Sequence, residues 1–281
     1  MRLSSYQHQG EVGYGVVTDD GIIDLKTRLG DRYPTLLSAL KAEALDEIRQ
    51  LTKGLPADFA TNAVVFLPPI PEGNIVHCIG LNYKDHIAET GRETPEFPHT
   101  FTKFSRTFVG HNQPMVRPKA SDKYDYEGEL AFIIGKHGRH VPEDTALDYV
   151  AGYTCFNDGS IRDWQHGRDI NQGKNFHRSS AIGPWITTAD EIPDPSRLTL
   201  TTRLNGERVQ HSTIDQLLFT VPHLVSYIST FTMIEAGDIV ATGTPSGVGS
   251  RRDPPLFLKP GDTVEVEISG IGTLCNSIID E

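Results

Sequence analysis

The sequence is poor in cysteine: Cys78, Cys155 and Cys275 are scattered and odd in number. That excludes a disulfide framework or a cysteine zinc site and fits a reducing compartment. Positive charge is also scarce. Twenty-six Lys and Arg against 37 Asp and Glu give a formal net charge of −11, which leaves no broad cationic surface for nucleic acid or an anionic membrane. No apolar run reaches the roughly 18 residues of a membrane helix, and the start, MRLSSYQHQGEVGYG, has no apolar stretch of signal-peptide kind. A soluble, cytoplasmic protein is expected. Glycine and proline, by contrast, are plentiful, at 26 and 18 of 281 residues. This load suits short strands and turns rather than a helical bundle, and the chain is long enough to bury a real core.

Residues 1–70 read as a small unit. GYGVVTDDGIIDL places two apolar runs around Asp19-Asp20-Gly21, a hairpin signal. In PTLLSALKAEALDEIRQL the apolar residues recur at helical spacing between a proline and Gly54, which predicts one helix. Leu67-Pro68-Pro69-Ile70-Pro71 reads as a stiff linker, so the boundary is placed there. Residues 71–281 are mostly strands, in NIVHCIG, ELAFIIG, LTLTTRLNG, DIVATG and DTVEVEISG. Two helices are expected among them, one after Asn82 to about Thr90 and one over Ile214 to Phe231. The fold class predicted is strand-rich α+β.

The strongest chemical signal is Tyr126-Glu127-Gly128-Glu129-Leu130, because residues two apart on a strand share a face. Two carboxylates on one face repel unless solvated, protonated or bridged, and a hard divalent cation with oxygen ligands answers that repulsion. Asp158, after the apolar run ending at Phe156, offers a third oxygen ligand; Asp163, beside Arg162, competes for the role, and spacing alone does not choose. His86 and Glu89 fall three apart on a short helix, so the carboxylate can orient and charge-stabilise an imidazole that takes a proton. There is no second histidine of a zinc-protease helix and no G-x-S-x-G elbow. Gly243-Thr244-Pro245-Ser246-Gly247-Val248-Gly249 lacks a phosphate-loop lysine and fits a carboxylate-binding loop or a plain turn. Lys103, Arg106 and Lys174 are single basic residues in apolar or glycine-rich stretches.

Taken together and in order, GLNYKDHIAE, FTKFSRTFVG, DYEGELAFIIG, GYTCFNDGSIRDWQ, GKNF before GPW, LNGERVQ, MIEAGDIVATGTPSGVG and LKPGDTVEVEISGIGTL resemble the fumarylacetoacetate hydrolase family over about residues 72–281. The likeness is to its bacterial acylpyruvate hydrolases, decarboxylases and isomerases. The resemblance implies a β-roll catalytic domain with a small N-terminal domain, a homodimer, and Mg²⁺ or Mn²⁺ held by Glu127, Glu129 and Asp158. It also implies that His86 and Glu89 activate water on a mobile helix and that Lys174 lies near the substrate. Substrate-contacting roles fall to Lys103, Arg106, Arg162, Gln165 and Thr244.

One departure is visible. Where many relatives read K-x-F-D-x-x-x-P-x-G-P, this chain has His177 for the Asp and Ala181 for the first Pro, with Arg178 alongside. The expectation is that His177 or Arg178 favours a substrate with a second, distal carboxylate. The implied function is metal-dependent hydrolysis of a C–C bond in a 2,4-dioxo acid such as fumarylpyruvate or maleylpyruvate, giving pyruvate and a carboxylic acid. Oxaloacetate-type decarboxylation or keto–enol isomerisation is the alternative. A binding protein that keeps an ion only for stability is disfavoured by the complete set of acids, His-Glu pair and lysine.

Overall fold

A computed structural model describes residues 1–72 and 75–281. The chain builds two large sheets, and a small one pairing Tyr124–Asp125 with Ser160–Ile161, around strands too apolar to face water. Gly128–Ile134 and Val150–Asn157 are buried at every position, the signature of strands covered on both faces. They pair antiparallel from Gly128↔Asn157 onward. Ile239–Ala241 joins the first of them at Ala131↔Ala241 and runs parallel to Val76–Gly80, which pairs with His99–Lys103. On the other side Ser180–Thr188 follows Val150–Asn157, and the N-terminal strands Arg2–His8, Glu11–Val17 and Ile22–Asp24 continue the same 11-stranded sheet. The junction is the pairing Arg2↔Thr187 and Leu3↔Ile186.

The second sheet has five strands, in the order Glu207–Thr213, Thr199–Leu204, Thr263–Ile268, Gly272–Asp280 and Met115–Arg117. Thr263–Ile268 (TVEVEI) alternates between half-buried and buried residues, as a strand with one face on a core should. Val264, Val266 and Ile268 meet Leu130, Phe132 and Ile134 in one cluster between the sheets. The opposite face of the large sheet, with Ala131, Ile133 and Ala151, is covered by Leu25, Leu36, Leu40 and Ile48 from the first 70 residues. The N-terminal stretch therefore shares both a sheet and a core with the rest, and the fold is the strand-rich α+β class expected.

Two helix expectations are corrected. The helix read over residues 34–51 is two, Leu36–Lys41 and Leu45–Thr52, separated by Glu43 at φ 54°. Thr35 and Ser38 cap the first reciprocally, and the apolar stripe runs through the break because Ala44 still donates to the Ala39 carbonyl. The helix read over 214–231 is Val221–Phe231 alone, preceded by a single tight turn at Ile214–Gln216. Pro222 sits in its first turn, where a missing N–H costs nothing, and Thr220 caps it. The strand in NIVHCIG spans Val76–Gly80; its Asn74 lies outside the described residues. Among the described residues no helix is long and apolar enough to cross a membrane.

Candidate active site

Glu127 immediately precedes strand Gly128–Ile134 and Glu129 lies on it, while Asp158 immediately follows Val150–Asn157. The antiparallel register sets Gly128 against Asn157, and the Asp158 amide donates to the Glu127 carbonyl at 2.9 Å. Folding thus brings the three acids together, with ligand oxygens all within 4.8 Å of one another. They are buried, at 6, 2 and 0% exposure. The glycine between the glutamates is required, since a Cβ on Gly128 would fall 2.0 Å from Thr202 Oγ1. Asp163 is elsewhere: exposed, it accepts from Ser121 Oγ.

Three cations close over the acids. Lys174 Nζ donates to Glu127 Oε2 at 2.8 Å and Asp158 Oδ2 at 2.7 Å. Lys103 Nζ reaches Asp158 Oδ1 at 2.6 Å and also donates to the Lys174 carbonyl. Arg162 pairs with Glu127 through Nη1 and with Asp125 through Nε, at 2.7 and 2.8 Å. Asp125 in turn accepts from the Gly249 and Ser250 amides.

The electrostatics are uneven. Burial works to raise the Glu127 carboxyl, but Lys174 and Arg162 outweigh it and hold the group at about 2. Burial works to lower Lys174, yet Asp158 and Glu127 lift it. Glu129 is the exception: burial first, then the charges of Asp158 and Glu127, push its carboxyl well above the usual range, against the pull of Lys174 and a Gly243 amide. This buried acid faces two others, and a hard divalent cation with oxygen ligands is the group whose charge would settle it. The donor set therefore fits the Mg²⁺ or Mn²⁺ expected.

Facing the acids across a cleft is helix Lys84–Thr90. His86 Nδ1 and Glu89 Oε2 lie 2.7 Å apart, and Glu89 Oε1 accepts from the Gly247 amide at 2.8 Å. Burial opposes ionisation of Glu89, but the bonds from His86 and Gly247 win and its carboxyl titrates lower than usual. A second tie joins Ser246 Oγ to Asp85 Oδ2 at 2.7 Å. The helix start is anchored by Asn82, fully buried, whose amide donates to the Phe219 and Thr242 carbonyls and accepts from Phe219 N. With Nδ1 engaged, Nε2 is the His86 nitrogen left for proton transfer.

The cleft opens to solvent, and its walls include His86, Glu127, Glu129, Arg162, Gln165, Lys174 and Thr244. Gln165 accepts from Arg162 at 2.9 Å. The Thr244 hydroxyl is already committed, donating to the Gly128 carbonyl and accepting from Gln210, so it fixes the glycine-rich loop to the strand that carries the acids. Lys103 and Asp158 lie beneath the wall, and Glu89 behind His86.

Four expected substrate residues do not line the cleft: Lys103, Arg106, His177 and Arg178. Arg106 stands over the Phe104 ring, in a separate surface depression shared with Met233. His177 and Arg178, expected to meet a distal carboxylate, do not line the cleft. Phe176 packs edge-on against Trp164 and the chain then turns away: His177 is exposed, and Arg178, at φ 51°, sends its guanidinium to the Pro114 carbonyl. Sequence reasoning missed Arg92, His99, His166 and Arg251, which do line the cleft. Arg92 follows the helix-ending Gly91 and Arg251 follows the glycine-rich loop; only their places beside recognised segments could have signalled them.

The family model for the fumarylacetoacetate hydrolase C-terminal domain matches residues 75–279. The mitochondrial oxaloacetate tautomerase Fahd2a of Rattus norvegicus is 38% identical over 288 residues, covering 99% of this chain and 92% of its own. The solved fumarylacetoacetate hydrolase of Exiguobacterium antarcticum is 32% identical, with a TM-score of 0.84 and 100% of both chains covered. The maleylpyruvate hydrolase of Sphingobium sp. SYK-6, solved with manganese(II) and pyruvate, is 28% identical with a TM-score of 0.83, covering 100% of this chain and 99% of its own.

Proposed function

The chain belongs to the fumarylacetoacetate hydrolase family, and from that premise we propose that it is a divalent-metal-dependent enzyme that enolises 2-oxo acids, its net reaction being keto–enol tautomerisation of an oxaloacetate-type acid. The observation that carries the proposal is the His86–Glu89 pair, 2.7 Å apart, on the wall opposite the buried Glu127, Glu129 and Asp158. Glu127, Glu129 and Asp158 would hold Mg²⁺ or Mn²⁺, which when bound supplies Lewis acidity to the carboxylate and 2-oxo oxygens of the substrate. His86 then takes the proton from the carbon beside the 2-oxo group, and Glu89 steadies the imidazolium that results. The same proton, returned to the enol oxygen or back to carbon, interconverts the two forms. Lys174 keeps positive charge beside the oxygen on which negative charge grows. The tautomerase name of a relative aligned along nearly the whole chain supports this reading.

A second reading has its own support. A histidine backed by a carboxylate is also equipped to deprotonate water, and the whole-chain likeness to a maleylpyruvate hydrolase favours hydrolysis of a 2,4-dioxo acid. There water adds to the 4-carbonyl, the C3–C4 bond breaks toward C3, and C3 takes a proton to give pyruvate and a carboxylic acid. NMR of oxaloacetate, acetylpyruvate and fumarylpyruvate with the protein, in Mg²⁺ or in chelator, separates the readings. Metal-dependent acceleration of enol–keto exchange in oxaloacetate, with the carbon skeleton intact, is expected. Pyruvate plus a carboxylic acid from the dioxo acids would establish the hydrolase instead, pyruvate plus CO₂ from oxaloacetate a decarboxylase, and silence throughout would reject the 2-oxo acid reading.

A further inference from the structure

The inner end of the cleft is nearly self-neutralising. Lys103, Lys174 and Arg162 each pair with the buried carboxylates at 2.6–2.8 Å. Glu127 and Glu129 are the only acidic side chains on its walls among the described residues. The mouth is different. Arg92 and Arg251 both line it, both are exposed, and among the described residues neither forms an ion pair. They come from separate elements, one just past helix Lys84–Thr90 and one in the turn Gly249–Arg251.

Both guanidinium groups belong to residues that line the same cleft as His166. Partial burial holds its imidazole below the usual range, and the charges of Arg162, Arg92 and Arg251 lower it further. Two cations without an ion pair among the described residues on the rim of the cleft, one of them acting on Glu89 only through its charge, together with the buried acid cluster, fit a ligand with two anionic ends. A guanidinium offers paired N–H donors that match a carboxylate, and two together raise the cost of leaving that end empty.

We propose that Arg92 and Arg251 select substrates carrying a second carboxylate, remote from the 2-oxo acid end that faces Glu127, Glu129 and Asp158. This assigns to the two rim arginines the role that the sequence suggested for His177 and Arg178, and it rests on the 2-oxo acid reading above.

The test compares two ligands of one chain length, 2-oxoglutarate and 2-oxopentanoate, which differ in a terminal carboxylate against a methyl group. Calorimetric titration of the Mg²⁺-loaded full chain should show 2-oxoglutarate binding about tenfold or more tightly, the effect of one well-placed charge pair. The double variant Arg92→Met/Arg251→Met should lose that preference while its affinity for 2-oxopentanoate stays within about twofold, which also shows that the variant is folded. Equal affinities in the unmodified protein, or a preference that survives in the double variant, would overturn the proposal and leave the 2-oxo acid reading standing. If neither ligand binds the Mg²⁺-loaded protein, that reading fails and the assignment of the arginines falls with it.

Discussion

The two walls of the cleft are built on different principles. The inner wall is a pair of fully buried strands whose register sets Glu127, Glu129 and Asp158, with Glu127 and Asp158 locked by Lys103, Lys174 and Arg162. The outer wall is the short helix Lys84–Thr90, held to the glycine-rich loop by the Glu89–Gly247 and Ser246–Asp85 bonds. Losing one partner of a buried ion pair costs about 3–5 kcal/mol, whereas an ordinary hydrogen bond contributes about 1 kcal/mol. Under the proposed function, charge is placed where a metal would be held, and His86 sits on the more weakly tied of the two walls.

The contrast can be broken from either side. The largest effect is expected from His86→Ala on the outer wall, where turnover should fall roughly 10²–10⁴-fold with Mn²⁺ affinity unchanged; single-turnover kinetics beside a metal titration checks both halves. On the inner wall, Lys174→Met removes the ammonium shared by Glu127 and Asp158. It should cost about 3–5 kcal/mol of stability in chelator, and much of the lost melting temperature should return on adding Mg²⁺. Ser246→Ala deletes one tie of the helix and should cost about 0.5–1.5 kcal/mol, seen as a few-fold loss of kcat/KM with the metal site intact.

The smallest effect lies outside the cleft. Burial lowers His77 and His111, and His111 Nδ1 accepts from the Cys275 amide. Below the ordinary histidine value of about 6.5 the unfolded chain takes up protons that the folded one refuses. Their contribution is thus present above that pH and is lost as pH falls, and His111→Gln should flatten the decline in denaturant midpoint between about pH 7 and 5.

What the sequence showed depended on the range of the contacts. Period-two spacing put Glu127 and Glu129 on one face, and i,i+3 spacing paired His86 with Glu89, because both are local. Choosing Asp158 over Asp163 needed the family resemblance, since the bond between Asp158 N and the Glu127 carbonyl joins distant strands. Nearness in sequence does not bring His177 and Arg178 to the cleft wall: they follow Lys174 but lie beyond the point where Phe176 packs on Trp164. Arg92 and Arg251 share the cleft mouth only through the folding of two loops far apart in the chain. Similarly, the pairing of Arg2 with Thr187, which joins the first strands to the main sheet, leaves no local mark.

The central claim is that Glu127, Glu129 and Asp158 hold a divalent ion while His86 handles protons without touching it. Titration of Mn²⁺ into the unmodified protein, Glu129→Gln and His86→Ala, followed by paramagnetic resonance, tests this most directly. One site per chain in the unmodified protein and in His86→Ala, and none in Glu129→Gln, is the predicted result. Equal binding by Glu129→Gln, or loss of binding in His86→Ala, would contradict it.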